Sequence, residues 1–437
     1  MSFLQLLVYR ILKVLIRLFA RLYYPRTLVL GREHFHLKDA NIVVANHPNT
    51  LIDPLSAAFR LDKPLFYLAN AGLYKYAFMR KLLDFLYAIR VERPQDVNGG
   101  RVNNEQAFKE AIAKLSAGYS IFIAPEGTSE MDRRLRPLRT GAARIALQAE
   151  ADNGFSLGLR ILPIGLTYDK PEESGSGLVV YAGAPILVKH WQQQYLQDPY
   201  KAVLSLTQEI SDRLAQLMLN PRSLEEDLLH RRLEEILEVK VPCTPREHWD
   251  RGRDLLEGLR TFGAQDPEAM GALKGKVATY LEKKEQYGLR ESTFSKNWAK
   301  SWMLLVIFPV WAFAWLHHYV IPALLLQVLG RKVKLYIGYA TTLKWLGAFL
   351  ILPFWYGMLI ALVPGLLEVN RSFYALALIC SGPIFVRLRP AWRDFSAMVK
   401  GRIVQWVYPQ AWADIQALRS HLASVASSWC GQKKQLH

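Results

Sequence analysis

The sequence predicts an α/β domain in which a sheet is covered by helices, followed by a helical segment and then an α-helical membrane region. Between Pro25 and Leu219, short apolar runs alternate with helical stretches, which is the pattern of strands and helices packed in layers. From Ser223 to about Leu289 the chain is rich in Glu, Arg, Lys and Leu, with apolar residues near helical spacing. Long uncharged runs begin beyond Lys300. A division into several units agrees with a length of 437 residues.

The composition limits the class of protein but does not identify its binding partner. Hydrophobic residues make up 51% of the chain and charged residues 21%, which excludes a disordered chain. The formal net charge of +17 favours anionic partners, whether nucleic acid, phosphorylated small molecules or an acidic lipid surface. Cys243, Cys380 and Cys430 are far apart and form no CxxC pair, so neither a disulfide framework nor a cysteine zinc site is supported. A reducing compartment is therefore expected.

The first predicted element is a helix from Phe3 to Tyr24 that is apolar except for one basic stripe. The stripe consists of Arg10, Lys13, Arg17 and Arg21. Spacings of three and four residues put these side chains on one side of a helix. We expect the helix to lie in the headgroup plane of a membrane with the stripe toward acidic phosphates, and packing against its own domain is the alternative. Because no small-residue cleavage site follows, we expect the segment to remain in the mature protein.

The α/β domain is expected to contain seven strands. They are predicted at Thr27–Leu30, Asn41–Ala45, Leu65–Leu68, Tyr87–Val91, Ser120–Ala124, Arg160–Thr167 and Leu178–Ala182. Helices are predicted at Asn104–Ala117 and Gly141–Ala149. Asn220 and Pro221 then break the chain, so the domain is expected to end near Leu219.

Two long apolar runs predict membrane-embedded helices. Trp302–Leu329 and Trp345–Leu367 contain no Asp, Glu, Lys or Arg, and each exceeds the roughly 20 residues needed to cross the hydrocarbon core. Ser372–Val386 is a shorter run, and a hairpin turn is expected at Pro364–Arg371. Basic clusters between the long runs and after Val386 are expected in the cytoplasm, which predicts that Trp302–Leu329 enters and leaves the membrane on that side and that Trp345–Val386 forms a second hairpin. The predicted units are an amphipathic membrane-associating helix at 1–24, the α/β domain at 25–219, a helical segment at 220–296, membrane-embedded helices at 297–392 and an amphipathic tail at 393–437.

The segment Asn46–Asp53 carries the sharpest chemical signal. His47 and Asp53 leave the end of a predicted buried strand together, and such a pair can act as a general base with its orienting partner. The imidazole takes a proton from an attacking hydroxyl, while the carboxylate holds the tautomer and stabilises the imidazolium. A loop hydrogen bond without catalysis is the alternative for this pair considered alone. The histidines elsewhere in the chain lack metal-ligand spacing and are expected to be structural or interfacial, namely His190, His248, His317 and His318.

A second signal, Ile123–Ser129, also follows a predicted strand. A turn opened by Pro125 and Gly127 can present backbone amides and the Thr128 hydroxyl to an anion, and Glu126 can accept from a substrate hydroxyl. Four arginines follow and suit phosphate recognition, namely Arg133, Arg134, Arg136 and Arg139. A plain strand-to-helix turn with solvated arginines is the alternative.

These segments resemble, in order, the four sequence blocks of the phospholipid/glycerol acyltransferase family. The blocks correspond to Asn46–Asp53, Ala88–Arg93, Ala124–Thr128 and Ile161–Leu166. The resemblance covers roughly residues 27–219 and implies a glycerolipid acyltransferase-like domain with His47 as general base and Asp53 as its partner. It also implies Arg93, Glu126 and Gly127 as acceptor-binding residues, and Pro163 as a residue that shapes the acyl-donor region. Thr128, Arg136 and Arg139 complete the candidate substrate-binding set.

Two departures from the family pattern leave the acceptor open. Five residues separate His47 from Asp53, one more than in the commonest pattern. The longer spacing is similar to that of a branch that includes fungal-type glycerol-3-phosphate and dihydroxyacetone-phosphate acyltransferases. Ser129 stands where the family usually has arginine, so a cation near that position must come from the arginines that follow.

The resemblance implies an O-acyltransferase that moves a fatty acyl group onto lysophosphatidic acid or glycerol 3-phosphate. The positive charge and the apolar runs independently indicate a membrane setting. A thioester donor already carries a good leaving group, so no metal, cofactor or serine nucleophile is expected. The expected partners are an acyl-coenzyme A or acyl-carrier-protein thioester, a phosphorylated glycerol or lysolipid acceptor, and membrane lipids, without nucleic acid. A catalytically silent lipid-binding or lipid-transport protein is the alternative. An integral membrane location with the α/β domain on the cytoplasmic face is expected.

Overall fold

The computed structural model describes residues 3–37, 39–75, 77–92, 103–240, 243–294, 306, 308–320 and 354–430. These residues divide into two compact units, and the main boundary falls between Asn220 and Pro221. The first unit is a mixed α/β domain, and the second is helical. Each unit has a buried apolar core of its own.

Within the described ranges, the first unit is built on an eight-stranded mixed sheet. The strands are β1 (Arg26–Leu30), β2 (Asn41–Ala45), β3 (Leu65–Asn70), β4 (Ala88–Val91), β5 (Ser120–Ile123), β6 (Arg160–Tyr168), β7 (Gly177–Ala182) and β8 (Ile186–Leu187). Their order is β1-β7-β6-β2-β5-β3-β4, with β8 paired to β6. Neighbouring strands are parallel except that β6 is antiparallel to β7 and β8. The seven predicted strands are confirmed, and β8 was missed because two residues are too few to form a pattern.

Helices cover the sheet and place its central strands in the core. The first unit contains α1 (Phe3–Tyr23), α2 (Ile52–Ala58), α3 (Ala77–Phe85), α4 (Glu105–Ser116), α5 (Gly141–Asp152), α6 (Gln192–Gln197) and α7 (Pro199–Gln216). Ala111 of α4, Ile145 of α5 and Leu206 of α7 lie in one buried cluster with Ile42 and Ile121 of the sheet. Strand β2 is buried along its whole length, as expected of an apolar central strand in a parallel part of a sheet. The two helices predicted in this domain are α4 and α5.

Helix α1 forms as predicted, but part of its basic stripe faces the protein. The Lys13 ammonium donates to the carbonyl of Leu61, and the Arg17 guanidinium donates to the carbonyl of Phe59 at 2.8 Å. Both carbonyls lie just beyond α2, where a helix end leaves carbonyl groups without partners inside the helix. The expectation that the whole stripe faces lipid phosphates is therefore wrong for these two residues. Helix α1 packs on its own domain, which was the alternative considered from the sequence.

The second unit is helical in its described residues. It contains α8 (Leu224–Lys240), α9 (Pro245–Gln265), α10 (Pro267–Gln286), α11 (Phe308–Trp315), α12 (Arg371–Val407) and α13 (Pro409–Trp429), and residues 354–366 are also helical. Leu233, Leu255, Tyr280 and Leu422 come from four of these helices and meet in one buried core. The helical segment predicted from Ser223 is confirmed.

The predicted membrane-embedded runs fall only partly within the described residues. The structure describes residues 306 and 308–320 of the first run and 354–367 of the second, and the remainder lies outside the described ranges. The third run, Ser372–Val386, forms the first part of α12. A turn at residues 367–370 joins the helix at 354–366 to α12, where the hairpin turn was predicted, and the Asn370 side chain caps α12. Among the described residues, no helix combines the length and the apolar character that crossing a bilayer requires.

Candidate active site

Two polar loops meet at one edge of the sheet because β2 and β5 are parallel neighbours. Both strands end at this edge, so the loops that follow them lie side by side. The Asn46 side chain, directly after β2, donates through Nδ2 to the Leu166 carbonyl at 2.8 Å and accepts from the Leu166 N–H at 2.7 Å. These two hydrogen bonds continue the contact between β2 and β6 past the end of β2. They fix the direction in which His47 leaves the sheet.

The structure brings His47 and Asp53 together. His47 Nδ1 lies 3.0 Å from Asp53 Oδ2. Asp53 lies in the first turn of α2 and is fully buried. Its Oδ2 also accepts from the Asn49 N–H at 2.6 Å, and its Oδ1 accepts from the Tyr168 hydroxyl at 2.8 Å. Three donors therefore compensate for the removal of this carboxylate from water.

The additional residue between His47 and Asp53 is accommodated by a tight turn at Asn49 and Thr50. Thr50 has a φ of 36°, in a region that residues other than glycine rarely adopt. The Ile52 N–H donates to the Asn49 carbonyl at 2.9 Å and closes the turn. The histidine and the aspartate therefore meet despite the longer spacing.

The hydrogen bond to Asp53 determines which nitrogen of His47 carries the proton. A carboxylate only accepts, so Nδ1 is protonated, and Nε2 carries the lone pair in the neutral ring. Within the described part of the chain, no residue hydrogen-bonds to Nε2. The His47 side chain is 11% exposed, so the ring is mostly buried but keeps some contact with solvent. This arrangement allows Nε2 to accept a proton from a ligand.

Glu126 joins the loop after β5 to the loop after β2. Its Oε1 accepts from the backbone N–H of His47 at 2.8 Å, and its Oε2 accepts from the backbone N–H of Arg136 at 3.2 Å. Burial raises the pKa of the Glu126 carboxyl group, and the two backbone donors oppose that shift. Both oxygens are thus engaged by the backbone, and the side chain holds the two loops together.

The loop after β5 is shaped by Gly127 and Arg139. Gly127 has a φ of 73°, which glycine adopts readily. A Cβ at this position would lie 2.6 Å from Arg139 Nε, so the absence of a side chain also admits the arginine. The Arg139 N–H donates to the Pro125 carbonyl at 2.8 Å and keeps the arginine beside this loop. Thr128, the next residue in the chain, is half-buried.

Arg136 and Arg139, both candidates for phosphate binding, have different surroundings. The Arg136 guanidinium lies 2.9 Å from Glu130, 3.0 Å from Asp132 and 3.7 Å from Glu126. Arg139 is exposed and forms no ion pair within the residues that the structure describes. The charge of Arg136 is therefore compensated by neighbouring carboxylates, whereas Arg139 can offer its charge to a ligand.

Pro163 and Arg93 complete the set predicted from the sequence. Pro163 is buried within β6, opposite Val44 of β2. It has no N–H to donate, and its carbonyl accepts from the Gly183 N–H at 2.9 Å. Pro163 therefore belongs to the sheet itself and not to the loops after β2 and β5. Arg93 lies outside the described residues, so its role stays a prediction.

Three residues that hold the site together were not predicted from the sequence. Tyr168 reaches Asp53 from a strand that is distant in sequence, and no local pattern indicates that contact. Asn49 lies inside the block that was singled out, and a polar residue between His47 and Asp53 was the available signal. Ser129 accepts from the Thr50 N–H at 3.0 Å, and its departure from the family pattern was the signal there.

Parts of this chain are similar to known proteins. Residues 26–167 match a family model described as Acyltransferase. The chain is 27% identical over 195 residues to glycerol-3-phosphate O-acyltransferase 2 of Saccharomyces cerevisiae, and the match covers 44% of this chain and 26% of the yeast protein. The crystal structure of the 1-acyl-sn-glycerophosphate (LPA) acyltransferase PlsC from Thermotoga maritima covers 45% of this chain and 75% of its own chain, with 20% identity and a TM-score of 0.33.

The matched family model defines the class of this domain: residues 26–167 form a domain of the acyltransferase family. The resemblance to the phospholipid/glycerol acyltransferases that rests on the four sequence blocks is thereby confirmed.

Proposed function

We propose that this protein is a membrane-bound O-acyltransferase. It transfers a fatty acyl group from an acyl-coenzyme A or acyl-carrier-protein thioester to a hydroxyl of lysophosphatidic acid or glycerol 3-phosphate. The observation that carries the proposal is the hydrogen-bonded His47–Asp53 pair, with Nε2 of the histidine unengaged by the described residues, inside an acyltransferase-family domain. The name of the yeast relative supports a glycerol-phosphate acceptor.

In the proposed reaction, His47 Nε2 removes the proton of the acceptor hydroxyl as the hydroxyl oxygen attacks the thioester carbonyl carbon. The new C–O bond gives a tetrahedral intermediate, which collapses by breaking the C–S bond. The sulfur leaves as a thiolate and is protonated by the imidazolium or by water. Asp53 accepts from Nδ1–H throughout and stabilises the imidazolium while it exists. The products are an ester and a free thiol.

The acceptor phosphate is assigned to Arg139. Its guanidinium can pair with two phosphate oxygens, and it is not neutralised by a described carboxylate, in contrast to Arg136. The Thr128 hydroxyl lies in the same loop and can donate to the same anion. Arg93 and Pro163 keep the roles that the family resemblance implies, as a second cation for the acceptor and as part of the acyl-donor region.

A membrane surface is the proposed setting, with the α/β domain on its cytoplasmic side. The side of α1 that does not pack on the domain exposes Leu4, Ile11, Val14 and Leu18, whose exposed fractions range from 51% to 66%. Such an apolar surface suits the boundary between headgroups and acyl chains. The helical hairpin at residues 354–407 also carries an exposed apolar stripe, formed by Phe354, Met358, Leu362, Leu366, Phe373, Leu376 and Ile379. We propose that this hairpin lies in lipid as well.

Acyl transfer by the purified full-length protein tests the proposal. Radiolabelled acyl-coenzyme A is supplied in lipid-detergent micelles with a panel of acceptors that includes glycerol 3-phosphate, lysophosphatidic acid and dihydroxyacetone phosphate. Labelled ester should form with at least one phosphorylated acceptor, and His190→Ala, an exposed histidine, serves as the control variant. Binding of lipid vesicles without transfer to any acceptor would favour the silent lipid-binding alternative. Flotation with acidic vesicles, for the wild type and for Val14→Asp, tests the membrane setting.

A further inference from the structure

We propose that Tyr168 is a positioning residue of the acyl-transfer site, which holds the Asp53 carboxylate in the orientation that His47 requires. This inference rests on the proposed function. Tyr168 is the last residue of β6 and is 2% exposed. Its hydroxyl donates to Asp53 Oδ1 at 2.8 Å, while His47 Nδ1–H and the Asn49 N–H use Oδ2. Both carboxylate oxygens are thus held, and a rotation of the carboxylate would break at least one hydrogen bond.

The Tyr168 hydroxyl is suited to this task because it remains a donor. Burial raises its pKa well above the ordinary value of 10.0, and the nearby charge of Asp53 raises the pKa further. The hydroxyl therefore stays protonated at neutral pH. A neutral donor also fixes the carboxylate without a positive charge that would compete with the imidazolium of His47 for Asp53.

A second tyrosine beside Tyr168 provides a matched control. The rings of Tyr24 and Tyr168 pack edge to face, with centroids 5.3 Å apart. The Tyr24 hydroxyl is also buried, but it donates to the Pro171 carbonyl at 2.6 Å and accepts from the Asn49 Nδ2 at 2.9 Å. It makes no hydrogen bond with Asp53. Both tyrosines are therefore buried and pack against each other, and they differ in whether the hydroxyl reaches the carboxylate.

Steady-state kinetics of Tyr168→Phe and Tyr24→Phe in the full-length protein test the proposal. Loss of a hydrogen bond to a charged group should lower kcat of Tyr168→Phe about 10- to 100-fold. The KM values for the acyl thioester and for glycerol 3-phosphate should change less than about twofold, because Tyr168 acts through Asp53 and not on a substrate. Tyr24→Phe should keep kcat within about threefold of the wild type, although it loses two buried hydrogen bonds. Wild-type kcat in Tyr168→Phe, or an equal loss in both variants, would overturn the proposal.

A double-mutant cycle with Asp53→Asn separates an effect through Asp53 from a general loosening of the site. Added to Asp53→Asn, Tyr168→Phe should reduce kcat no further, because the carboxylate that it orients is already gone. A further loss of about tenfold on that background would contradict the proposal. If Tyr168→Phe alone fails to fold, the kcat of the double variant can still be compared with that of Asp53→Asn. The double variant lacks the buried carboxylate that Tyr168→Phe alone leaves without its hydroxyl donor. A fully active His47→Ala would refute the proposed function, whereas an inactive His47→Ala beside a fully active Tyr168→Phe would refute only the role of Tyr168.

Discussion

Two histidines, one in each unit of the molecule, lie in hydrogen-bonded networks that differ in whether a ring nitrogen is left for a ligand. In the α/β unit, His47 uses Nδ1 to donate to Asp53, and no described residue engages its Nε2. In the helical unit, His318 lies in a π-helical turn after α11, and both of its ring nitrogens have partners. The first network is open to a ligand, and the second is closed.

The closure of the His318 network follows from hydrogen-bond valence. The Ser381 hydroxyl donates its one proton to the Leu378 carbonyl at 2.9 Å. It must therefore accept from His318 Nε2–H, which lies 2.8 Å away. His318 Nδ1 then carries the lone pair and accepts from the Tyr356 hydroxyl. Every polar atom in this chain of hydrogen bonds is satisfied within the protein, and the bonds connect residues of three helical segments.

The comparison teaches that a sheltered, hydrogen-bonded histidine can act as a base only where one ring nitrogen is left without a protein partner. Both histidines have a hydroxyl-bearing residue nearby, and both are sheltered from water. A general base needs a lone pair that a substrate can reach. His47 meets that condition and His318 does not.

The largest expected effect is the difference between His47→Ala and His318→Ala. Loss of the general base should lower kcat of His47→Ala by about 10²- to 10⁴-fold with little change in melting temperature. His318→Ala should instead lower the melting temperature and leave kcat within a few-fold of the wild type, because it leaves buried partners unsatisfied. Kinetics and circular-dichroism melting curves of both variants check the pair. The comparison fails if the two variants lose activity equally.

Asp53→Asn should be nearly as damaging as loss of the histidine. An amide at this position can donate to His47 Nδ1, which favours the wrong tautomer, and it no longer stabilises the imidazolium. We expect kcat to fall by about 10²-fold or more, with KM values for both substrates nearly unchanged. Single-turnover measurements with radiolabelled thioester have the sensitivity for this test. Activity close to wild type would show that Asp53 only stabilises the structure of the loop.

A smaller effect is expected when Arg139 and Arg136 are each replaced by Ala, and the two variants should differ in which property changes. Arg139→Ala should raise KM for the phosphorylated acceptor by about 10- to 100-fold, because a charge-assisted hydrogen bond to phosphate is lost. KM for the acyl thioester should change far less. Arg136→Ala should mainly lower the melting temperature, since it removes ion pairs with Glu130 and Asp132. The reverse pattern would place the phosphate at Arg136.

The smallest expected effect is a pH dependence of stability from Glu126. Its pKa is raised in the folded protein above the ordinary value of 4.5, chiefly by burial. The native carboxyl group therefore holds its proton more tightly than the unfolded one, and its contribution to stability declines as pH rises through the window above 4.5. Glu126→Gln removes this titration. The melting temperature of the wild type minus that of Glu126→Gln should thus fall between pH 4 and pH 7, and a difference that rises over this range would contradict the shift.

Local sequence patterns predicted seven of the eight described strands, and together with the four family blocks they predicted the His47–Asp53 pair. Strand β2 is a short apolar run, the histidine lies in the loop that follows it, and the aspartate lies in the first turn of the next helix. The contact of Tyr168 with Asp53 could not be predicted, because it depends on β6 lying next to β2 in the sheet. The inward-facing Lys13 was missed for the same reason, since its partner carbonyl at Leu61 is 48 residues away.

The central role of His47 is to take the proton of the acceptor hydroxyl. An acceptor that needs no base tests this role directly. In a thiol analogue of the acceptor, sulfur replaces the reacting oxygen, and a thiol with a pKa of about 8.5 ionises without help. Acyl transfer by the wild type and by His47→Ala is measured at pH 8.5 with both acceptors. The loss of acyl-transfer rate in His47→Ala, relative to the wild type, should be at least about tenfold smaller with the thiol than with the hydroxyl. Equal deficits with the two acceptors would contradict a role for His47 as the base.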